Sequence, residues 1–196
     1  MLPGELTDTE CRIVTERLVL RRLRADDAPR MAELANNWNM ARTLSRMPHP
    51  YSLSDAETFI ARQSGSGRAM DSLGLAVTLA DQFVGMASLF PHEGAGLEMG
   101  YWIGEPYWNR GFMSEAARAL VDFGFERLDL PVIVAGHYVD NHASGRVLSK
   151  LGFRYTGESL RRSLAQGRDV RCLDMRLDRQ RWLELRHTRA RVAATA

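Results

Sequence analysis

Two stretches of this 196-residue chain hold residue types that could do chemistry at a site. The first is WNRGFMSEA, residues 108–116, where an Asn, an Arg and a Gly stand directly before an amphipathic run. A helix start carries free N–H groups and a partial positive charge, and both attract phosphate. Gly111 lets the backbone approach an anion closely, and Arg110 adds a fixed positive charge beside it. The plain alternative is a turn that uses Gly only for its conformation. The second stretch is DNHASGRVLSKLGF, residues 140–153, in which Asp140 or Asn141 caps a helix that Gly152 stops. By itself that second stretch needs no more than a structural role.

These residues need elements to hold them. RLVLRRL (Arg17–Leu23) alternates apolar and polar residues and reads as a strand. Ala25–Asn37 has acids in its first turn and Met31, Leu34 and Ala35 on one face, so it reads as a helix. A short helix over Trp38–Arg46, an extended MPHPY and a helix capped by Ser52 or Ser54 follow, with SGSG as its end. Strands Leu73–Ala80 and Phe83–Phe90 form a hairpin, PHEGAG turns, and Leu97–Ile103 is a third strand. On that strand Glu98, Gly100 and Trp102 share one face, and Met99, Tyr101 and Ile103 the other. The helix Ser114–Leu128 stacks Ala117, Val121, Phe125 and Leu128 on one side. Pro131–Val139 is an apolar strand, and Tyr155–Leu164 and Val170–Leu177 make a hairpin over AQGRD.

The strand–helix–strand unit from Leu97 to Val139 is expected to be parallel, by the right-handed crossover rule. The expected fold is α/β (α+β): a mixed, mostly antiparallel sheet with helices on both faces. Ligands commonly sit at the carboxyl ends of such a parallel pair, which is where Trp108–Ser114 falls.

The bulk numbers narrow the class. The length suits one domain, expected over residues 12–178, with a frayed basic helical tail over 179–196. A net charge of +2 gives no field for nucleic acid or membranes. Lys150 is the only lysine, so Arg carries nearly all the positive charge. Cys11 and Cys172 fit no metal or redox spacing, so no metal is expected and a reducing, cytoplasmic setting is. No apolar run reaches membrane-spanning length, and the acidic MLPGELTDTE does not read as a secretion signal. The tail from Arg179 to Arg191 lacks interleaved aromatics, so an exposed helix face is preferred over RNA binding.

LEMGYWIGEPYWNRGFMSEA followed by NHASGRVLSKLGF resembles the GNAT superfamily of N-acetyltransferases. TERLVLRRLRADDA and GYWIGEPYW are similar to its ribosomal-protein N-terminal (RimJ/RimL-like) branch. The resemblance covers about Thr15 to Leu177. It implies a central sheet of about seven strands with a splayed parallel pair, and acetyl-CoA as co-substrate. The loop matching Trp108, Asn109, Arg110, Gly111, Phe112, Met113 and Ser114 would then wrap the pyrophosphate. The strand end at Tyr101, Trp102 and Ile103 would bond the pantetheine arm, and Asn141 would face the cofactor. Asn109 and Met113 depart from the small residues usual in that loop, which puts its shape or affinity in question. Leu148 stands where many relatives carry a Tyr acid.

Acetyl transfer needs an amine that loses its proton, an aligned thioester, donors for the developing oxyanion and a donor for the leaving thiolate. Glu98 is the candidate base, its pKa raised by burial, unless it faces solvent. Ser144 is the candidate acid, unless it only supports the helix cap. Tyr138 and His137 stand behind it. Trp38, Met40, His49 and Tyr51 could line one acceptor wall; Arg161, Arg162 and Arg168 the other, favouring a carboxylate-bearing acceptor. The acceptor would be a protein N-terminus or a small amine. Transfer of another acyl group such as succinyl, or cofactor sensing without catalysis, fits the same loop. An exposed strand edge leaves room for a homodimer.

Overall fold

The computed structural model describes residues 10–64, 72–92 and 96–193. Most of SGSG and the centre of PHEGAG lie outside the described residues. Among the described residues, eight strands form one sheet. They are β1 (Ile13–Val14), β2 (Val19–Arg22), β3 (Leu73–Leu79), β4 (Gln82–His92), β5 (Gly96–Ile103), β6 (Val132–Tyr138), β7 (Arg154–Ser163) and β8 (Arg168–Asp178). Their order across the sheet is β1-β2-β3-β4-β5-β6-β8-β7. Only β5 and β6 run parallel. β1, a two-residue strand pairing with Val19 and Leu20, is the one beyond the expected seven.

The helices are α1 (Ala28–Ala35), α2 (Trp38–Ala41), α3 (Leu53–Ser64), α4 (Phe112–Glu126), α5 (His142–Leu151) and α6 (Arg179–Ala193). They cover both faces, and each face has its own core. Under α4 and α5 lie Leu89, Met99, Leu120, Phe125, Ile133 and Met175; under α1–α3 lie Met31, Leu34, Ile60, Phe83 and Trp102. None of the described helices is long and apolar enough to cross a membrane.

The feature that matters most is where β5 and β6 stop pairing. Their register runs Leu97–Ile133, Glu98–Val134 and Met99–Ala135, and ends there. β5 stays on β4 to Ile103, and β6 stays on β8 to Tyr138, so the two strands diverge into a cleft. Gly85 explains part of the divergence. A Cβ at Gly85 would lie 2.3 Å from the Trp102 carbonyl oxygen, so its absence lets the end of β5 lean over β4, away from β6.

Several boundaries differ from the sequence expectation, each for a local reason. The helix expected over Ala25–Asn37 begins as a 3-10 turn at Ala25–Asp27, because Asp27 is buried and takes Arg21 through two bonds of 2.8 Å. β4 continues through Pro91; its β3 partner ends opposite Leu89, so the missing proline N–H costs no ladder bond on that side. α4 starts at Phe112 rather than Ser114, because Gly111 in the left-handed region (φ 78°) forms its cap.

Within the described residues the tail is a helix, and its first half packs on the body of the fold. Trp182 is 3% exposed, stacks on Phe125 at 5.1 Å, and donates its indole N–H to Asp122 at 2.6 Å. Arg179 donates to the Phe125 carbonyl, and Arg186 pairs with Glu126. Gly152, at φ 99°, leaves the space that the Leu185 side chain enters. α6 therefore closes the outer side of α4.

Candidate active site

A cavity of about 860 Å³ occupies the cleft between the diverging strands and runs to the start of α4. Its α4 end is lined by Trp108, Asn109, Gly111, Phe112, Met113 and Ser114. Trp108 donates its indole N–H to the Ile103 carbonyl at 2.7 Å, which pins the loop to the end of β5. Asn109 (φ 59°) and Gly111 (φ 78°) then turn the chain sharply into the helix. Gly111 offers no capping side chain, and the first backbone bond closing the helix is Glu115 N to Gly111 O. The amides of Phe112, Met113 and Ser114 thus have no partner within the helix, and all three residues line the cavity. The Met113 side chain is buried in the core under α4, so its bulk does not fill the loop and only its backbone matters there. Asn109 tolerates the left-handed conformation that Gly otherwise supplies.

Two cations flank this end. Arg110 and Arg17 lie over the Phe112 ring, at 4.7 and 4.6 Å. Arg17 also bonds the Arg110 carbonyl and Glu115, tying the β1–β2 turn to the loop. Burial alone would push the Glu115 carboxyl up. Hydrogen bonds from Thr15 and Arg17 outweigh that and hold it below its ordinary value. Arg17 was not singled out from sequence, since nothing local links it to a loop 93 residues away.

On the α5 side, Asn141 caps the helix by accepting from the Ser144 N–H at 3.2 Å. The Ser144 hydroxyl lies 2.9 Å from the Tyr101 hydroxyl, and both residues line the cleft. Burial pushes the Tyr101 phenol well above its ordinary value, against the bond to Ser144, so it stays a proton donor. Either hydroxyl can donate in that contact, and the Tyr101 hydroxyl also donates to the Ser144 carbonyl oxygen at 3.3 Å. His137 is buried, bonds the Tyr138 carbonyl and the Tyr155 hydroxyl, and also lines the cleft.

The opposite face of the cleft is charged. Glu98 is buried, with Oε1 bonded to Arg161 and Oε2 3.2 Å from His92 Nδ1. Arg161 also holds Asp174 at 2.7 Å. Burial pushes the Arg161 guanidinium down, but the bonds to Glu98 and Asp174 win and hold it above its ordinary value. Glu98 is therefore neither a free solvent-face residue nor an unpaired buried acid. Arg161 comes from β7 and reaches across β8 and β6 to do this. It can cross because residue 136 is Gly: a Cβ there would lie 2.8 Å from Arg161 Nη2 and 2.7 Å from Cys172 Sγ. Gly136→Ala should therefore displace Arg161 and destabilise the fold by about 1–3 kcal/mol. The melting temperature, read beside the turnover number, checks this; an unchanged pair of values would contradict it.

Tyr138 is buried on this charged face; its hydroxyl lies near Ser163 without a well-formed hydrogen bond, and burial raises its pKa. Burial likewise pushes the Cys172 thiol up to about 11, so it is an inert lining residue. Of the proposed acceptor walls, Met40 and Arg161 line the cleft. Tyr51 does not: it is buried among α1–α3 with its hydroxyl 3.8 Å from Met31 Sδ. Trp38 packs on His49 at the surface, 5.5 Å between ring centroids. Arg162 points to the exposed side of β7 and lies 3.9 Å from Asp169, because strand alternation sends Arg161 inward instead. Arg168 is also exposed. The β7–β8 turn is strapped to the loop after α2 by Leu164 N to Ser45 O and Gln166 to Arg42 O.

Among the described residues no cluster suited to a metal ion occurs. Residues 17–154 match the sequence profile of the family described as "Acetyltransferase (GNAT) domain". The chain is 29% identical over 150 residues to the uncharacterized N-acetyltransferase p20 of Bacillus licheniformis, covering 74% of this chain and 83% of that one. RimJ of Mycobacterium smegmatis, solved in complex with CoA-disulfide, shares the fold with a TM-score of 0.73 at 20% identity, over 82% of this chain and 81% of that one. RimL, a ribosomal L7/L12 alpha-N-protein acetyltransferase solved with coenzyme A, does so with a TM-score of 0.71 at 21% identity, over 85% and 97%. With well over half its length matched and this fold around the cleft, the chain belongs to the GNAT acetyltransferase family and is an N-acetyltransferase.

Proposed function

We propose that the enzyme moves an acetyl group from acetyl-CoA to a primary amine by direct attack, with both substrates bound in the cleft. The observation that carries this is the pair of parted strands leading to three uncapped amides at the start of α4. A diphosphate fits there: Gly111 leaves the backbone open, and Arg17 and Arg110 supply positive charge. The unpaired edge of Gly100–Ile103 suits a pantetheine arm that bonds like an added strand. Acetyl-CoA supplies the thioester carbonyl and a thiol leaving group.

The chain's own groups divide the remaining work. Glu98, on the charged face, takes the proton of the amine. The backbone N–H groups of the open β5 edge are available for the developing oxyanion. Ser144, oriented by Tyr101 and by its place in the first turn of α5, donates to the departing sulfur. Leu148 leaves the helix without an acid of its own, and the Tyr101–Ser144 pair fills that role. Ser144→Ala should lower kcat about 10²-fold, with little change in coenzyme A affinity. Tyr101→Phe should cost about fivefold, the worth of one hydrogen bond. Equal losses in both, or none in either, would break the proposed division.

A protein N-terminus is the favoured acceptor, since RimL is named for that chemistry. The decisive experiment is thiol release from acetyl-CoA with N-terminal peptides and small amines, run beside succinyl-CoA. Calorimetry with coenzyme A runs in parallel. Binding heat without thiol release on any acceptor would leave a sensor instead of an enzyme acting here. No heat at all, on folded protein, would remove the cofactor reading.

A further inference from the structure

We infer that His92 is the group through which the proton taken from the amine leaves the buried charged face of the cleft. The inference rests on the reading of Glu98 as the base and names what must happen next. Converting an ammonium and a thioester to an amide and a thiol releases one proton per turnover. Of the two ammonium protons lost, one ends on the sulfur and the other must reach solvent.

Glu98 cannot deliver that proton by itself. Its side chain is 9% exposed; Oε1 is hydrogen-bonded to Arg161, and Oε2 lies at ion-pair distance from His92. The partner on Oε1, Arg161, has five N–H donors and no acceptor, so it cannot accept a proton. The partner on Oε2 is His92, whose Nδ1 lies 3.2 Å away and whose side chain is 37% exposed. His92 ends β4 on the face that Glu98 shares, since Phe90 stands opposite Glu98 in the ladder. It therefore places an imidazole between a buried carboxylate and the surface. The charged groups around it are Glu98 from β5, with Arg161 of β7 and Asp174 of β8 behind it, and Arg46, whose guanidinium lies 4.4 Å over the Phe90 ring. Glu93, next in sequence, lies outside the described residues.

The step balances without any added reagent. The ammonium gives one proton to Glu98 and its nitrogen bonds the acyl carbon; as the C–S bond breaks, Ser144 protonates the sulfur and is itself reprotonated by the second nitrogen proton. Glu98 passes its proton to His92 Nδ1, and the imidazolium releases the Nε2 proton to water. Exchange with solvent restores the starting tautomer. His92 is a relay residue here, since it touches the base and not the substrates.

The test is the steady-state, multiple-turnover rate of thiol release by His92→Gln and His92→Asn, measured in dilute non-transferring buffer with and without added imidazole. Glu98→Gln is run alongside, and circular dichroism shows that each variant is folded. Both His92 variants should lose about tenfold in rate, less than removal of the base itself. Imidazole should restore that loss, while wild type stays insensitive to it and acetyl-CoA affinity does not move. Wild-type rates in the His92 variants with Glu98→Gln inactive would overturn the relay and leave the base in place. A loss that imidazole cannot rescue would likewise overturn it, as a packing effect would. An active Glu98→Gln would overturn the base reading and the relay together.

Discussion

Glu98→Gln is expected to lower the single-turnover rate by about 10²–10⁴-fold, the usual contribution of a positioned base. Coenzyme A affinity should stay within a few-fold, because the amides of Phe112–Ser114 and the cations Arg17 and Arg110 lie at the other end of the cleft. The amide keeps the shape of the carboxylate but cannot take a proton. Some stability is lost as well. Breaking one side of a buried ion pair costs about 3–5 kcal/mol, and the loss here should fall at the low end because Asp174 still accompanies Arg161. The rate must therefore be measured on protein held well below its melting temperature. A rate within a few-fold of wild type would take the base role from Glu98.

The second large effect is on stability and leaves the chemistry alone. Trp182→Ala should destabilise the enzyme by about 3–5 kcal/mol, as for other large buried aromatics. In a chain of this size that corresponds to a fall in melting temperature of about 10 °C. The indole fills the space over Phe125, and its N–H is bonded to Asp122, so the substitution opens a cavity and removes that donor. No residue of α6 lines the cleft, so the folded fraction should keep its turnover number at low temperature. Loss of activity without loss of stability would mean that α6 contributes to the site, contrary to its place on the outer side of α4. An unchanged melting temperature would mean that the tail does not dock.

Both effects lie where sequence reading was weakest. Trp182 sits in a run dense in Arg, and its apolar neighbours are too few to announce a buried face; the tail therefore reads as solvated. Only the position of Phe125 on α4 turns that tryptophan into core. Glu98 reads from the chain alone as either a base or a surface residue. Its answer depends on His92, Arg161 and Asp174, which reach it from β4, β7 and β8. Gly136 shows the same limit. Nothing along the chain marks this glycine as the place where the Arg161 side chain crosses.

By itself the sequence determined what depends on neighbours along the chain. Strand alternation, helix caps at Asn141 and Gly152, and the Arg-Gly turn into α4 are local matters of dihedral angle and period. For that reason the loop and the order of elements around it were legible. The tertiary structure alone decided which side chains meet across strands. Tyr101 reached Ser144, Arg161 rather than Arg162 entered the cleft, and Tyr51 left the site for the core. Those outcomes follow from packing between residues tens of positions apart, and no local pattern encodes that distance.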